Sequence, residues 1–521
     1  MPNIEKLNKK LYNTLKLSGF LVRREFCTYV IEKLLQENIQ LDENATFDKY
    51  VKTLCSNLEK QCLINKSIEK HHIECVVEIA LNSGYDKQET IFSTIGAFEF
   101  PKLRYDSDRR IYLPAISKSR LLSGPNSKTQ LFLDRYNTVL QRTQRNFKNK
   151  ITKKESDRLF LQTVDYLFTK GSVTLNKTLI LGALFQMSEG KFALEDPSGL
   201  VELDFSDAKY HGGFFVENSF VLVNGYYEDK LIKVSTVISP PGEEYKDSIL
   251  SFGSINYYGG PSITPLRNSQ NLAEQLRLNP NNSIMLFSDV WLDHPMIFEK
   301  LEILFNGFHH SPPIAFIFMG NFMQDYQGLE KIDNYKKLFK KFGELLSNYT
   351  ELVHKSKFVF VPSMTDPCHL HILPRFPLPS HVTEEFQKSV PSAIFTTNPC
   401  RLQYYTKEIV LFRADILPKL MQGALEKPQI EEIPEFITRT IIGQGHLCPF
   451  SLNAVTVNWD FDYTLRLFPL PNLIVLGDKS EAYQGKYKEC QLVNPGSFCG
   501  DEEFQFMSYV PFDETIQECS L

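Results

Sequence analysis

Over the first eighty or so residues, apolar side chains recur at spacings of three and four. Ile4, Leu7, Leu11 and Leu15 make one stripe, and Gly19 follows as a stop. Phe26, Val30 and Leu34 make a second, and Phe47, Tyr50, Val51 and Leu54 a third. Ile68, His72, Cys75, Val76 and Ile79 make a fourth. Such spacing predicts amphipathic helices, so residues 1–85 are expected to form a small helical bundle. His71 and His72 belong to a helix face, since no further His or Cys group stands at ligand spacing. Residues 86–163 hold Pro101, Pro114 and Pro125 and no sustained period until a helical stretch over 131–146. They are expected to be a connector containing one helix. Eight basic residues fall between Arg135 and Arg158 against Glu155 and Asp157. A charge run of this kind is expected to be a solvated face and linker, with contact to phosphate or an acidic partner as the alternative.

From Val164 the period changes to two. Residues 179–185, 191–196, 201–205, 220–227 and 231–234 read as five short strands. Five strands over so short a span predict a small β-barrel of the OB kind, within a unit covering 164–282. Phe185, Phe192, Phe205, Tyr226 and Tyr227 could serve as stacking platforms for a single strand. Against that, Glu189, Glu195, Asp196, Glu202, Asp204 and Asp207 offset Lys191, Lys209, Lys230 and Lys233. Electrostatics supplies most non-specific nucleic-acid affinity, so the barrel is expected to meet protein rather than DNA. From Ser283 onward the pattern changes again. Short continuous apolar runs, each ending in a polar loop, alternate with helical stretches: 284–288, 314–319, 358–361, 409–412 and 473–476. Runs without alternation belong to strands buried on both faces, and 283–521 is expected to be an α/β domain of phosphoesterase layout.

Composition changes little. Net charge is −5, too balanced for a protein whose whole surface grips nucleic acid. Ten cysteines are scattered with no C-x-x-C, which argues against a zinc ribbon or disulfide framework and fits a reducing compartment. No run approaches about 18 apolar residues, so no membrane span or secretory leader is expected, and the sequons Asn176-Lys177-Thr178 and Asn348-Tyr349-Thr350 are read as chance matches.

The chemistry rests on the polar loops. An acidic residue at the carboxyl end of a buried strand sits where open α/β sheets place ligands. Asp289, Asn321, Asp366 and His446 hold such positions. A two-metal hydrolase needs more carboxylates and imidazoles than these. The loops resemble the calcineurin-type metallophosphoesterase motifs with their chemistry removed. The D-x-H motif stands as Asp289-Val290-Trp291, and G-D-x-x-D as Gly320-Asn321-Phe322-Met323-Gln324. G-N-H-[DE] stands as Ser363-Met364-Thr365-Asp366, and G-H-x-H as Gly477-Asp478-Lys479-Ser480. The later lone His persists in Gln444-Gly445-His446-Leu447. No catalytic residue, metal or cofactor is therefore expected, and the four positions are read as vestigial. Asp289 and Asp366 are expected to close their loops by bonding backbone amides, with Trp291 filling or flanking the volume of a metal centre.

An inactivated phosphoesterase behind an OB barrel resembles the B-subunit family of replicative DNA polymerases, and within it the second subunits of the epsilon branch. The matching stretches are 134–145 (DRYNTVLQRTQR), 189–199 (EGKFALEDPSG), 255–262 (INYYGGPS), 288–293 (SDVWLD), 395–401 (FTTNPCR) and 494–498 (NPGSF). The resemblance implies a non-catalytic nuclear scaffold that binds the cysteine-rich C-terminal region of the catalytic subunit of DNA polymerase epsilon. It implies a link to the replicative helicase through GINS, the helical bundle being the expected contact. Small histone-fold subunits would be reached indirectly, and DNA through the complex. An active metal-dependent phosphoesterase or nuclease, and a single-strand-binding OB protein, are the competing readings.

Overall fold

The apolar runs of the C-terminal half form the middle strands of two stacked sheets. In a computed structural model, the described residues are 4–36, single positions between 51 and 77, 91–115, 119–149, 161–169, 174–262, 264–324, 331–367, 371–500 and 503–521. One sheet runs in the order Ile394–Phe395, Lys357–Val361, Ala315–Met319, Ile284–Ser288, Phe506–Val510, Thr515–Cys519. Its first four strands are parallel and the last two antiparallel. The other runs Phe92–Gly96, Cys400–Tyr404, Lys407–Arg413, Leu473–Gly477, Cys490–Asn494, Tyr483–Tyr487. Leu286, Ile317 and Val359 of the first sheet meet Leu402, Leu411 and Val475 of the second in one core. The outer face of the first sheet is covered by helices Ile297–Phe308, Ile332–Ser347 and Ser380–Ser389, through Phe305, Phe342 and Phe386. The second sheet is covered by Leu417–Gly423 and Ile433–Gln444. The result is a four-layer αββα body. Strands covered on both faces have no wet side to encode, which is why their sequences lack alternation.

Five strands close the barrel: Leu175–Ser188, Lys191–Asp196, Gly199–Asp204, Phe220–Glu228 and Leu231–Ile238. Each pairs with its neighbours. The ring shuts because the first strand pairs antiparallel with the fourth, and the fifth parallel with the third. Leu184, Leu194, Val201, Val221 and Ile232 point inward. The OB expectation holds. At the N-terminus, helices Ile4–Leu17 and Arg24–Gln36 share one core. Leu7, Leu11, Leu15, Val30, Val51, Leu54 and Val76 are buried in it. Phe47, Tyr50, Cys75 and Ile79 lie outside the described residues.

Two features differ from the periodicity reading. The aperiodic segment before residue 100 supplies an edge strand: Phe92–Gly96 pairs antiparallel with Cys400–Tyr404, Ile95 opposite Arg401. The basic stretch is not a solvated face over its described part. Helix Ser127–Asn149 lies between barrel and body, and its arginines point into the seam. Arg135 grips the carboxylate of Asp462 through Nε at 3.0 Å and through Nη2. Arg142 is fully buried and donates to the carbonyls of Ile442 and Gly443, and burial pushes its guanidinium down to about 10. Arg145 clamps Glu243 with two bonds of 2.8 and 2.7 Å. Residues at steps of seven and three share one helix face, so a run that looks like dispersed charge is one inward row. The basic residues from Lys150 to Arg158 lie outside the described residues.

This seam makes a testable demand. Removing one partner of a buried ion pair leaves an uncompensated charge, at about 3–5 kcal/mol. Arg135→Ala should therefore lower the unfolding free energy from urea melts by about 3–5 kcal/mol. A value within about 0.5 kcal/mol of the parent, the size typical of an exposed substitution, would show that the seam does not hold the fold.

Candidate functional site

Five strand ends converge at one edge of the two sheets: those carrying Asp289, Gly320, Ser363, Arg413 and Asp478. The group at their centre is Arg413, the last residue of Lys407–Arg413. It is 2 % exposed. Its Nη2 donates to Asp289 Oδ1 at 2.8 Å, and its Nη1 to Asp415 Oδ1 at 2.8 Å and to the carbonyl of Gly477 at 3.1 Å. Its Nε donates to the carbonyl of Gly320. Asp289 and Gly320 belong to one sheet, Gly477 and Asp415 to the other, so one planar cation ties the two together. Burial alone would lower the guanidinium's pKa. The carboxylates of Asp289 and Asp415 outweigh burial and hold it above its ordinary value. The Arg413 backbone is held in turn by Asn398, whose side chain accepts from its amide at 3.1 Å and donates to its carbonyl at 2.7 Å.

The carboxylates close loops, as expected. Asp289 follows its strand at φ 56°, a left-handed conformation that Asp tolerates better than most residues. Its Oδ1 accepts from the amide of Asn321 at 2.8 Å. Asp366 accepts from the next amide, Phe322, at 3.0 Å, and from Ser363 at 2.8 Å. Burial raises the carboxyl of Asp366, and these backbone bonds act against the rise. Gly320 is required here, because a Cβ would stand 1.9 Å from Asp366 Oδ2. Asp478 repeats the device on the second sheet. It accepts from Ile416 at 2.6 Å and Leu417 at 2.8 Å, and from Ser480.

Asp289, Asn321 and Asp366 are thus brought together, and His446 is not with them. His446 lies 3.3 Å from Asp462 Oδ1 in the Arg135 seam. Its other nitrogen, Nδ1, accepts from the amide of Cys448 at 3.1 Å. Burial, with the positive charge of Arg135, lowers its pKa against the pull of Asp462. Trp291 does not fill the centre; it stands two residues beyond Asp289, partly buried against the aromatic core of the first sheet, its amide donating to the Asp289 carbonyl at 3.1 Å and lying 3.3 Å from Cys499 Sγ. The central volume belongs to Arg413, which sequence reasoning passed over. Its signal was a basic residue directly ending an apolar run, the mirror of Asp289.

The phosphoesterase fold implies two metal ions, and the residues do not fit them. A guanidinium stands among the strand-end oxygens, and Asn321 offers a neutral amide rather than a carboxylate. Among the described residues no group of three or more His, Cys, Asp or Glu could hold a metal ion. No helix among them is long and apolar enough to cross a membrane.

The αββα body and the OB barrel coincide with two matched families, which place the chain among the B subunits of replicative DNA polymerases. Residues 284–485 match the family of B subunits of DNA polymerases alpha and epsilon. Residues 125–241 match the OB-fold domain of DNA polymerase epsilon subunit 2-like proteins, and 3–79 the N-terminal domain of DNA polymerases epsilon. DNA polymerase epsilon subunit 2 of Homo sapiens is 35% identical, covering 99% of this chain and 99% of that protein. The Drosophila melanogaster protein of that name is 34% identical over 99% of this chain and 98% of its own. The B subunit of DNA polymerase epsilon from Arabidopsis thaliana is 32% identical over 82% of each. The chain belongs to the DNA polymerase epsilon subunit 2 family, and is a replicative polymerase accessory subunit. A solved archaeal phosphodiesterase covers 46% of this chain and 99% of its own at 12% identity, with a TM-score of 0.26; the fold assignment rests on strand order instead.

Two outcomes are expected. Arg413→Ala should cost about 3–5 kcal/mol in a denaturant melt, because Asp289 is left buried without its cation. Arg413→Lys should recover only part, since an ammonium cannot reach four acceptors in one plane. An Arg413→Ala melt equal to the parent would refute the tie. The second outcome is a pH dependence. The folded state holds His446 below its ordinary 6.5, so the unfolded chain takes up a proton first as pH falls. This part of the stability is full above about 6.5 and is lost as pH falls toward the folded pKa. Urea midpoints between pH 7.5 and 5.5 should decline, and His446→Gln should flatten that decline. An equal decline in the variant assigns the pH effect to other groups.

Proposed function

We propose that the chain is a non-catalytic scaffold of the DNA polymerase epsilon complex. In this reading it holds the cysteine-rich C-terminal region of the catalytic subunit and links it to the replicative helicase through GINS. The small histone-fold subunits are reached indirectly, and DNA only through the complex, in the nucleus. The observation that carries this is Arg413: a buried guanidinium bonded to Asp289 and Asp415 stands where hydrolysis would need a cation pair. Asp289, Asn321 and Asp366 serve as loop closures. No metal or cofactor takes part. The units are taken as 1–85, the helicase-facing bundle; 86–163, the connector; 164–282, the barrel and its connection; and 283–521, the inactive body. The barrel's exposed Glu189, Glu195 and Glu202 favour protein over single strands as its contact.

The test has two parts. Purified chain with Mn²⁺ should not hydrolyse phosphodiesters above background, and it should form a stoichiometric complex with a cysteine-rich C-terminal fragment of the catalytic subunit. Hydrolysis abolished by Asp289→Ala would make the chain an enzyme. Failure to bind the fragment would remove the scaffold reading.

A further inference from the structure

Single exposed apolar side chains are ordinary on a protein surface. A pair of adjacent leucines on an anchored loop is not. Leu121 is 53% exposed and Leu122 90%. They sit on a loop fastened from below by two polar side chains of another segment. Asn458 Nδ2 donates to the carbonyl of Leu121 at 2.8 Å, and Ser123 Oγ donates to Asn458 Oδ1 at 2.9 Å. The amide of Arg120 donates to Asp460 Oδ2 at 3.1 Å, and Ser119 Oγ to the carbonyl of Asp460 at 3.0 Å. Between Asn458 and Asp460 stands Trp459, one of only two tryptophans, 37% exposed. Four bonds therefore hold two segments side by side while the leucines and the indole face solvent. A loop already ordered gives up little entropy when a partner lands on it, and a Trp beside Arg is the composition of an interface anchor.

Charge narrows the occupant. Arg120, next to the leucines, and Lys128, in the first turn of the helix that follows them, are exposed. Among the described residues no carboxylate pairs with either side chain, and the one carboxylate at the loop, Asp460, is taken up by the amide of Arg120. A second copy docking by symmetry would set bases against bases. Nucleic acid would use the indole, but two adjacent leucines offer no π-face for stacking. A polypeptide whose apolar side chains are flanked by carboxylates satisfies both the leucines and the bases.

We propose that Leu121, Leu122 and Trp459, rimmed by Arg120 and Lys128, form a docking surface for an acid-flanked amphipathic segment of the polymerase's catalytic subunit. This rests on the scaffold reading above. The experiment is calorimetric titration of the full chain with the catalytic subunit's C-terminal fragment at about 0.15 M salt. Leu122→Asp and Trp459→Ala should each weaken binding at least about tenfold. The Leu122→Asp melt should match the parent, because that side chain is almost fully exposed, and Trp459→Ala is assayed at a temperature where circular dichroism shows it folded. Arg120→Glu with Lys128→Glu should weaken binding and remove most of its salt dependence. Parent-like affinity in all three variants overturns this surface and leaves the scaffold reading standing, whereas a parent chain that does not bind the fragment sinks both. Binding of a single-stranded oligonucleotide that Trp459→Ala abolishes would give the surface to nucleic acid instead. A dimer in sedimentation that Leu122→Asp dissolves would give it to a second copy. Either result overturns the proposal.

Discussion

A buried charge must be answered, and in this chain the answer ties two sheets together. The carboxylates at the strand ends would repel one another and strand their loops if left without a cation. Arg413 answers Asp289 and Asp415 with one planar group and takes two carbonyls as well. A guanidinium is suited to this because its donors are fixed in a plane and it stays charged when buried. A metal centre would impose a similar convergence on the same edge. The arginine keeps that convergence with protein groups alone, so the body retains its phosphoesterase shape.

The same solution recurs away from that edge. Arg375 reaches the carbonyls of Ser363 and Asp366 and fixes the third ligand loop. Arg401 lies over the ring of Phe100 at 3.3 Å and donates to the carbonyl of Arg466, and burial pushes it down to about 9. Glu408 is buried beside Tyr257, which donates to it at 2.5 Å, and beside Arg267. These contacts fasten the connecting segments to the second sheet. With Arg135, Arg142 and Arg145 they make barrel, connector and body one assembly. Buried charges of this kind add little net stability compared with apolar replacements, but they penalise any other arrangement strongly. That penalty fixes the relative positions of barrel, connector and body.

Periodicity carried the elements. The helical stripes of the N-terminus, the five barrel strands and the buried runs of the body were legible because each reflects which faces meet water. The motif positions Asp289, Asn321 and Asp366 were legible because strand ends are marked by an abrupt change from apolar to polar. The absence of imidazoles could be read directly. What the pattern could not show was pairing between distant segments. Phe92–Gly96 is half-buried at a sheet edge and carries no clear period. Its strand character comes from its partner Cys400–Tyr404.

The chain's own sequence thus determined the fold class and the elements that build it, which depend on local composition and on spacing along one element. Tertiary structure alone decided that His446 serves the Arg135–Asp462 seam rather than the ligand loops, that Trp291 packs beside the core, and that the basic row of helix Ser127–Asn149 turns inward. It also decided that Arg413 occupies the centre. Each of these is a charge or a ring answered by residues tens to hundreds of positions away, Asp289 with Arg413 and Arg135 with Asp462 among them. Local pattern encodes which face is buried; it does not encode what that face will meet.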